Sequence, residues 1–114
     1  MGELKRSEEH THPEAALAPV LDLATAASMA ALFKALSDPT RVRIIAALLE
    51  GERCVYDLAG ALEMTHSAIS HQLQLLRNLR VVRHRKEGRH VFYALDDAHI
   101  QGLFLQSLEH ARHG

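Results

Sequence analysis

Asp97 and His99 stand two residues apart, and His110 and His113 stand three apart, near the end of a chain of 114 residues. Carboxylate oxygen and imidazole nitrogen are ordinary ligands of zinc. A three-residue spacing places His110 and His113 on one face of a helix. The two-residue spacing of Asp97 and His99 suits only an irregular first turn. His99 and His110 are eleven positions apart, so a rise of ~1.5 Å per residue separates them by roughly 16 Å along one helix. One ion cannot bridge both pairs of the same helix. Two copies packed antiparallel about a two-fold axis bring Asp97 and His99 of one subunit to His110 and His113 of the other, and the symmetry makes two identical sites. Each then offers three imidazoles and one carboxylate, a tetrahedral set suited to zinc. A plainer reading needs no metal: an Asp at a helix start and His at its end are favoured by the helix dipole.

A second group is short, polar and clustered: Thr65, His66, Ser67, Ser70, His71 and Gln72. Side chains of this kind near a helix N-terminus reach base edges in a major groove. Ser67, Ser70 and His71 share a helical face by their spacing. Downstream, Arg77, Arg80, Arg83, Arg85, Lys86 and Arg89 are opposed by one acid, Glu87, between Arg77 and His90. Arg85, Lys86 and Arg89 fall around Gly88, where they suit phosphates or a minor groove. Either segment alone also fits a solvated face. In the order helix-turn-helix and then basic wing, they point to double-stranded DNA. His71 belongs to the recognition helix, while His84 and His90 read as surface residues without a ligand partner.

The elements that must position these groups are legible as patterns. The Ala/Leu-rich stretch from Ala15 to Leu36 predicts a helix, with Leu17, Leu21, Ala24, Ser28, Ala31 and Leu32 near one face and a loose start around Pro19 and Asp22. Asp38 and Pro39 cap and open a second helix, with Val42, Ile45, Ala46 and Leu49 as its stripe and Gly51 at its end. Val55–Leu62 reads as a short helix with Leu58, Ala59 and Leu62 inward. Thr65 caps a helix over Ser67–Asn78, with Ile69, Leu73 and Leu76 inward. Two short helices joined so tightly form a helix-turn-helix. Val81–Lys86 and Arg89–Leu95 are β-prone runs around Glu87 and Gly88, a hairpin. Asp96 or Asp97 then caps a last helix, Ala98–Arg112, with Ile100, Leu103, Phe104, Ser107, Leu108 and Ala111 on one face.

Composition narrows the class. The length fits one domain, with residues 1–13 as a flexible arm and 14–114 as a single winged helix-turn-helix unit, mainly α with a small β-hairpin. Aromatic residues are 4% and Trp is absent, so aliphatic side chains build the core. The longest uncharged apolar run, Leu23–Phe33, falls well short of the ~20 residues of a membrane span. The polar start is not expected to act as a secretory signal. Cys54 is the one cysteine, so no internal disulfide forms and a reducing cytoplasm is the expected compartment. A small metallohydrolase is disfavoured, because the cluster has no general base beside it and no HExxH-type motif occurs. The protein is read as a non-enzyme.

Four segments carry a family resemblance: Leu36–Arg41, Cys54–Ala59, Ser67–Leu73 and Lys86–Tyr93. In that order they resemble the ArsR/SmtB family of metal-responsive repressors. The resemblance runs from about Ala24 to His113. It implies a homodimer joined through its first and last helices. The metal-free dimer binds inverted-repeat operator DNA, and metal lowers that affinity to derepress genes of metal efflux or sequestration. Asp97, His99, His110 and His113 match the last-helix site of the zinc sensors in this family. The resemblance also implies a relay in which the second ring nitrogen of His110 hydrogen-bonds the backbone near Arg80.

A second metal site is a weaker expectation. Thiophilic members carry a Cys-x-Cys around Cys54, whereas this chain has Tyr56 at the second position, so a soft thiolate site is not intact. Other members pair one cysteine with an aspartate three residues on, as Cys54 and Asp57 do, joined by ligands from the partner's arm; His10 and His12 are the candidates. Two rivals stay within DNA binding. One is a nickel or cobalt sensor that recruits His10 and His12 as extra ligands for six-coordination. The other is a winged-helix protein insensitive to metal.

Overall fold

The computed structural model describes residues 20–113. Five helices and three strands follow in the order α1 Leu23–Ala35, α2 Pro39–Leu48, β1 Arg53–Cys54, α3 Val55–Leu62, α4 His66–Asn78, β2 Val82–Glu87, β3 His90–Leu95 and α5 Ala98–His113. This is a winged helix-turn-helix, mainly α with a small antiparallel sheet of strand order β1-β3-β2. The sequence places 1–13 in an arm; those residues, with His10 and His12, lie outside the described residues.

Four of the five helix starts are set by side-chain acceptors, α3 being the exception, as the sequence expects of capping residues. Asp38 Oδ2 accepts from the Arg41 amide at 3.1 Å, and Pro39 takes the first turn, where its missing N–H costs nothing. Asp22 corrects the first helix. Its Oδ2 accepts from the Thr25 amide at 2.9 Å, so the helix begins at Leu23 and Leu21 is left outside it; Leu17 lies outside the described residues.

The core gathers where α2, α3, α4 and the sheet meet. Ile44, Ile45, Leu58, Ile69, Leu73 and Leu76 are fully buried there, and each such side chain contributes about 1.5–3 kcal/mol of transfer free energy. The buried arc of α2 is Ile44, Ile45 and Leu48. This shifts the expected stripe, since Val42 and Ala46 face outward. Val42 instead joins Phe33, Leu36, Leu103, Leu108 and Ala111 along an apolar groove between α1, α2 and α5.

The wing has β2 and β3 in register from Val82↔Leu95 to Glu87↔His90. The turn is therefore Gly88-Arg89, one residue later than the pattern suggests, and Gly88 supplies the positive φ of 63° it needs. β1 is a further strand that the sequence reading missed: two residues are too few to show a period, and its pairing Cys54↔Phe92 is long-range. α5 runs one residue further than expected, to His113.

Candidate nucleic-acid interface and metal centre

α4 is presented by its neighbours. Glu63 adopts a left-handed conformation (φ 56°) that turns the chain out of α3. Thr65 Oγ1 then accepts from the Ala68 amide at 3.0 Å and opens α4. Ile69, Leu73 and Leu76 anchor one side in the core. The opposite side exposes Ser67, Ser70 and His71. His66 is exposed as well, its ring 4.2 Å from that of Tyr56. Gln72 has a different position. It is half-buried, and its Oε1 accepts from Arg41 Nε at 3.0 Å while Arg41 Nη1 donates to the Ala35 carbonyl, so it knits α4 to α2 and the end of α1. The exposed stripe continues through Gln74, Arg77 and Asn78. Sequence reasoning counted Arg77 only in the basic run and left out Gln74 and Asn78, although three- and four-residue spacing from Ser70 and His71 leads to all three.

The wing's cations are not equivalent. Arg85 donates from Nε to Glu52 Oε2 at 2.8 Å, from Nη2 to Glu52 Oε1 at 2.8 Å, and from Nη1 to Glu87 Oε1 at 3.0 Å. Its guanidinium also stands 4.9 Å from the centre of the Phe92 ring. These carboxylates raise the Arg85 pKa further, and the Arg85 hydrogen bonds hold the Glu52 carboxyl below its usual range. Lys86 and Arg89 are exposed, and among the described residues no ion pair reaches them. Around Gly88 the outward charge thus belongs to these two, while Arg85 fastens the wing to the segment before β1.

At the far side of the sheet Asp97 is the N-cap of α5, its Oδ1 accepting from the Ile100 amide at 3.0 Å. That hydrogen bond is the main cause, with His99 next, of an Asp97 pKa below the ordinary carboxylate value. Because Asp97 stands just outside the helix, its Oδ2 comes to 3.6 Å from His99 Nδ1, resolving the awkward two-residue spacing. His99 is 96% exposed. His110 and His113 lie exposed in the last turn of the same helix. Each end of α5 therefore holds one pair of donor side chains, and among the described residues no three His, Cys, Asp or Glu side chains of one chain converge on a metal position. An ionised carboxylate with one imidazole, and two imidazoles a turn apart, make a donor set that fits zinc when two subunits combine. Cys54 is buried at the N-cap position of α3 and Asp57 is exposed in that helix's first turn. Arg80, between α4 and β2, takes the left-handed conformation with φ 61°.

Known proteins resemble this chain in sequence and fold. The profile of the bacterial regulatory proteins of the arsR family matches residues 38–84. A transcriptional repressor SmtB homolog of Synechocystis sp. is 45% identical over 91 residues, 80% of this chain and 69% of that protein. A cadmium resistance transcriptional regulatory protein, the CadC homolog of Staphylococcus aureus, is 48% identical over 85 residues, 74% of this chain and 70% of that one. The solution structure of the homodimeric winged helix-turn-helix DNA-binding domain Mb0332 of Mycobacterium bovis superposes with a TM-score of 0.75 at 30% identity, covering 84% of this chain and 91% of that chain.

Proposed function

Because the chain belongs to the ArsR/SmtB family of bacterial regulatory proteins, we propose that it is a zinc-responsive repressor whose metal-free dimer binds operator DNA. The observation that carries the metal reading is the pairing of Asp97 and His99 at 3.6 Å on one end of α5, with His110 and His113 exposed on the other. Two α5 helices packed antiparallel complete both sets at once. The half-exposed apolar side chains Met29 and Phe33 of α1 and Leu105 of α5 supply the surface for that dimer. The resemblance of the chain to a cadmium resistance regulator and to an SmtB homolog supports a metal as the signal.

In this reading Ser67, Ser70 and His71 face base edges, Lys86 and Arg89 meet phosphates, and the two-fold dimer selects an inverted repeat with half-sites about one turn apart. Thr65 and Gln72 shape and hold α4 rather than read bases. Arg85 holds the wing in place. Asp97 and His99 of one subunit and His110 and His113 of the other would hold the zinc, and coordination there would link the two α5 helices. His110 turns its second ring nitrogen to the backbone at Arg80, which connects α5 to the end of α4. A coupling of about 1–3 kcal/mol, a change of roughly 5–150-fold, is typical of such a link. Cys54 and Asp57 carry no regulatory role. No helix among the described residues is long and apolar enough to cross a membrane, in keeping with work in the cytoplasm.

The test is an anisotropy titration of an inverted-repeat duplex with chelator and then with zinc. Loss of affinity with zinc in the parent, and not in a His110→Ala, His113→Ala variant, is expected. Zinc-insensitive binding by the parent overturns zinc as the signal. Cobalt spectra then separate a tetrahedral site from the six-coordinate site of a nickel or cobalt sensor.

A further inference from the structure

Arginines of two kinds surround the sheet. Arg85 is opposed by two carboxylates. Arg77, Arg80 and Arg83 instead line one open groove with Val82, His84 and Asp96, at the C-terminal end of α4. Arg83 Nη1 donates to the carbonyl oxygens of Leu95 at 2.8 Å and Asp96 at 2.6 Å. Arg77 Nη1 lies 2.7 Å from His84 Nδ1, which accepts from the guanidinium. No carboxylate therefore aims either guanidinium. Arg80 adds a third charge from the left-handed turn between them. Among the described residues no salt bridge reaches any of the three, and Asp96 is the one carboxylate of the lining.

We infer that Arg77, Arg80 and Arg83 form a phosphate-binding patch that grips the DNA backbone flanking the major groove entered by the first turns of α4. The inference rests on the DNA-binding reading above. Its geometry comes from the helix. Arg77 is eleven positions beyond His66, or ~16 Å of helix, whereas the major groove is only about 12 Å wide. A helix that seats its N-terminus at the bases carries Arg77 past them to the phosphate wall. The exposed stripe of Ser67, Ser70, His71 and Gln74 leads along α4 to Arg77. This continuity favours the DNA backbone over a free oxyanion as the source of the phosphate.

Sequence-independent binding isolates the grip on the backbone, so the probe is a fluorescein-labelled duplex of about 30 base pairs and mixed sequence, with full-length, chelator-treated protein. The slope of log K against log salt between ~50 and ~200 mM changes by about 0.9 for each phosphate that is no longer neutralised. Arg77→Gln and Arg80→Gln, each freeing one phosphate per subunit, are expected to lower the dimer's slope by about 1.8. Arg77→Lys, which keeps the charge, is expected to keep it. Circular dichroism and sedimentation check that each variant folds and dimerises. Parental slopes in both glutamine variants, with duplex still bound by the parent, overturn the patch and leave the DNA reading standing. Absence of duplex binding by the parent overturns both. Calorimetry with inorganic phosphate forms the second arm: saturable binding abolished in Arg77→Gln, with an unchanged duplex slope, reassigns the patch to a free oxyanion and overturns the backbone assignment.

Discussion

α4 and α5 are both helices with one polar side, yet their neighbours treat them differently. α4 has Ile69, Leu73 and Leu76 buried, a Thr65 cap and an Arg41–Gln72 hydrogen bond, all from one chain. α5 is longer and buries only Phe104. Its candidate ligands sit at opposite ends, and its apolar side opens onto a groove. The surface proposed to read DNA is thus finished within a protomer, while the proposed metal centre needs two. Folding energy and the proposed signal reception fall on different helices, so a substitution is expected to silence one without harming the other.

The sharpest way to break that contrast is to empty the core under α4. Leu73→Ala is expected to cost about 2–5 kcal/mol of unfolding free energy by urea titration. His110→Ala with His113→Ala is expected to stay within about 0.5 kcal/mol of the metal-free parent. An equal loss in both variants would mean that α5 is as much a structural element as α4. The same double variant is expected to bind zinc at least ~100-fold more weakly in a competition titration, since even a lost second-layer partner costs about 10–100-fold.

Mixing sharpens the comparison further. Asp97→Ala, His99→Ala protein and His110→Ala, His113→Ala protein are each expected to be inert toward zinc. After subunit exchange in equal amounts, about a quarter of the parent's zinc capacity should return, because half the dimers are mixed and each keeps one of two shared sites. No recovery would overturn the shared two-subunit site.

Smaller effects test the supports. Thr65→Ala removes the α4 cap and is expected to cost about 1 kcal/mol, read by thermal melting, with weaker DNA binding as the first turn frays. The smallest effect concerns the wing. The Glu52 carboxyl is held below its ordinary range by Arg85. Its stabilisation is therefore present above about pH 4.5 and is lost as pH falls through the lowered folded value. The difference in melting temperature between the parent and Glu52→Gln is expected to close between about pH 5 and 2. No difference at neutral pH would mean that packing over Phe92, not charge, holds Arg85.

Local features of the helix-turn-helix were legible because several signals agreed. Val55–Leu62 was bounded correctly from its apolar spacing, and Thr65 and Asp38 act as caps where their type and position suggested. The phase of α2 was missed because Val42 belongs to a second apolar surface, which a single-core reading folds into the first. The fate of Arg85 was not legible, since its partner Glu52 is 33 positions away and only the sheet brings them together. Gln72 sits among polar neighbours in the sequence, yet α2 claims it. The Asp97–His99 pair could be named from residue type, but its convergence depends on Asp97 being the cap, and the sequence left that choice open between Asp96 and Asp97.

The strand order has a consequence for solubility. β2 lies at the outer edge of the sheet, and after Val82 every residue of the strand is exposed. Such an edge offers free backbone donors and acceptors to another copy, and charged side chains are a common protection against that pairing. Arg83, Arg85 and Lys86 occupy this edge. The cations that serve the wing therefore also keep wings of neighbouring molecules from joining into an extended sheet. Neutral substitutions along β2 then carry a liability separate from DNA affinity: each brings the edge closer to aggregation.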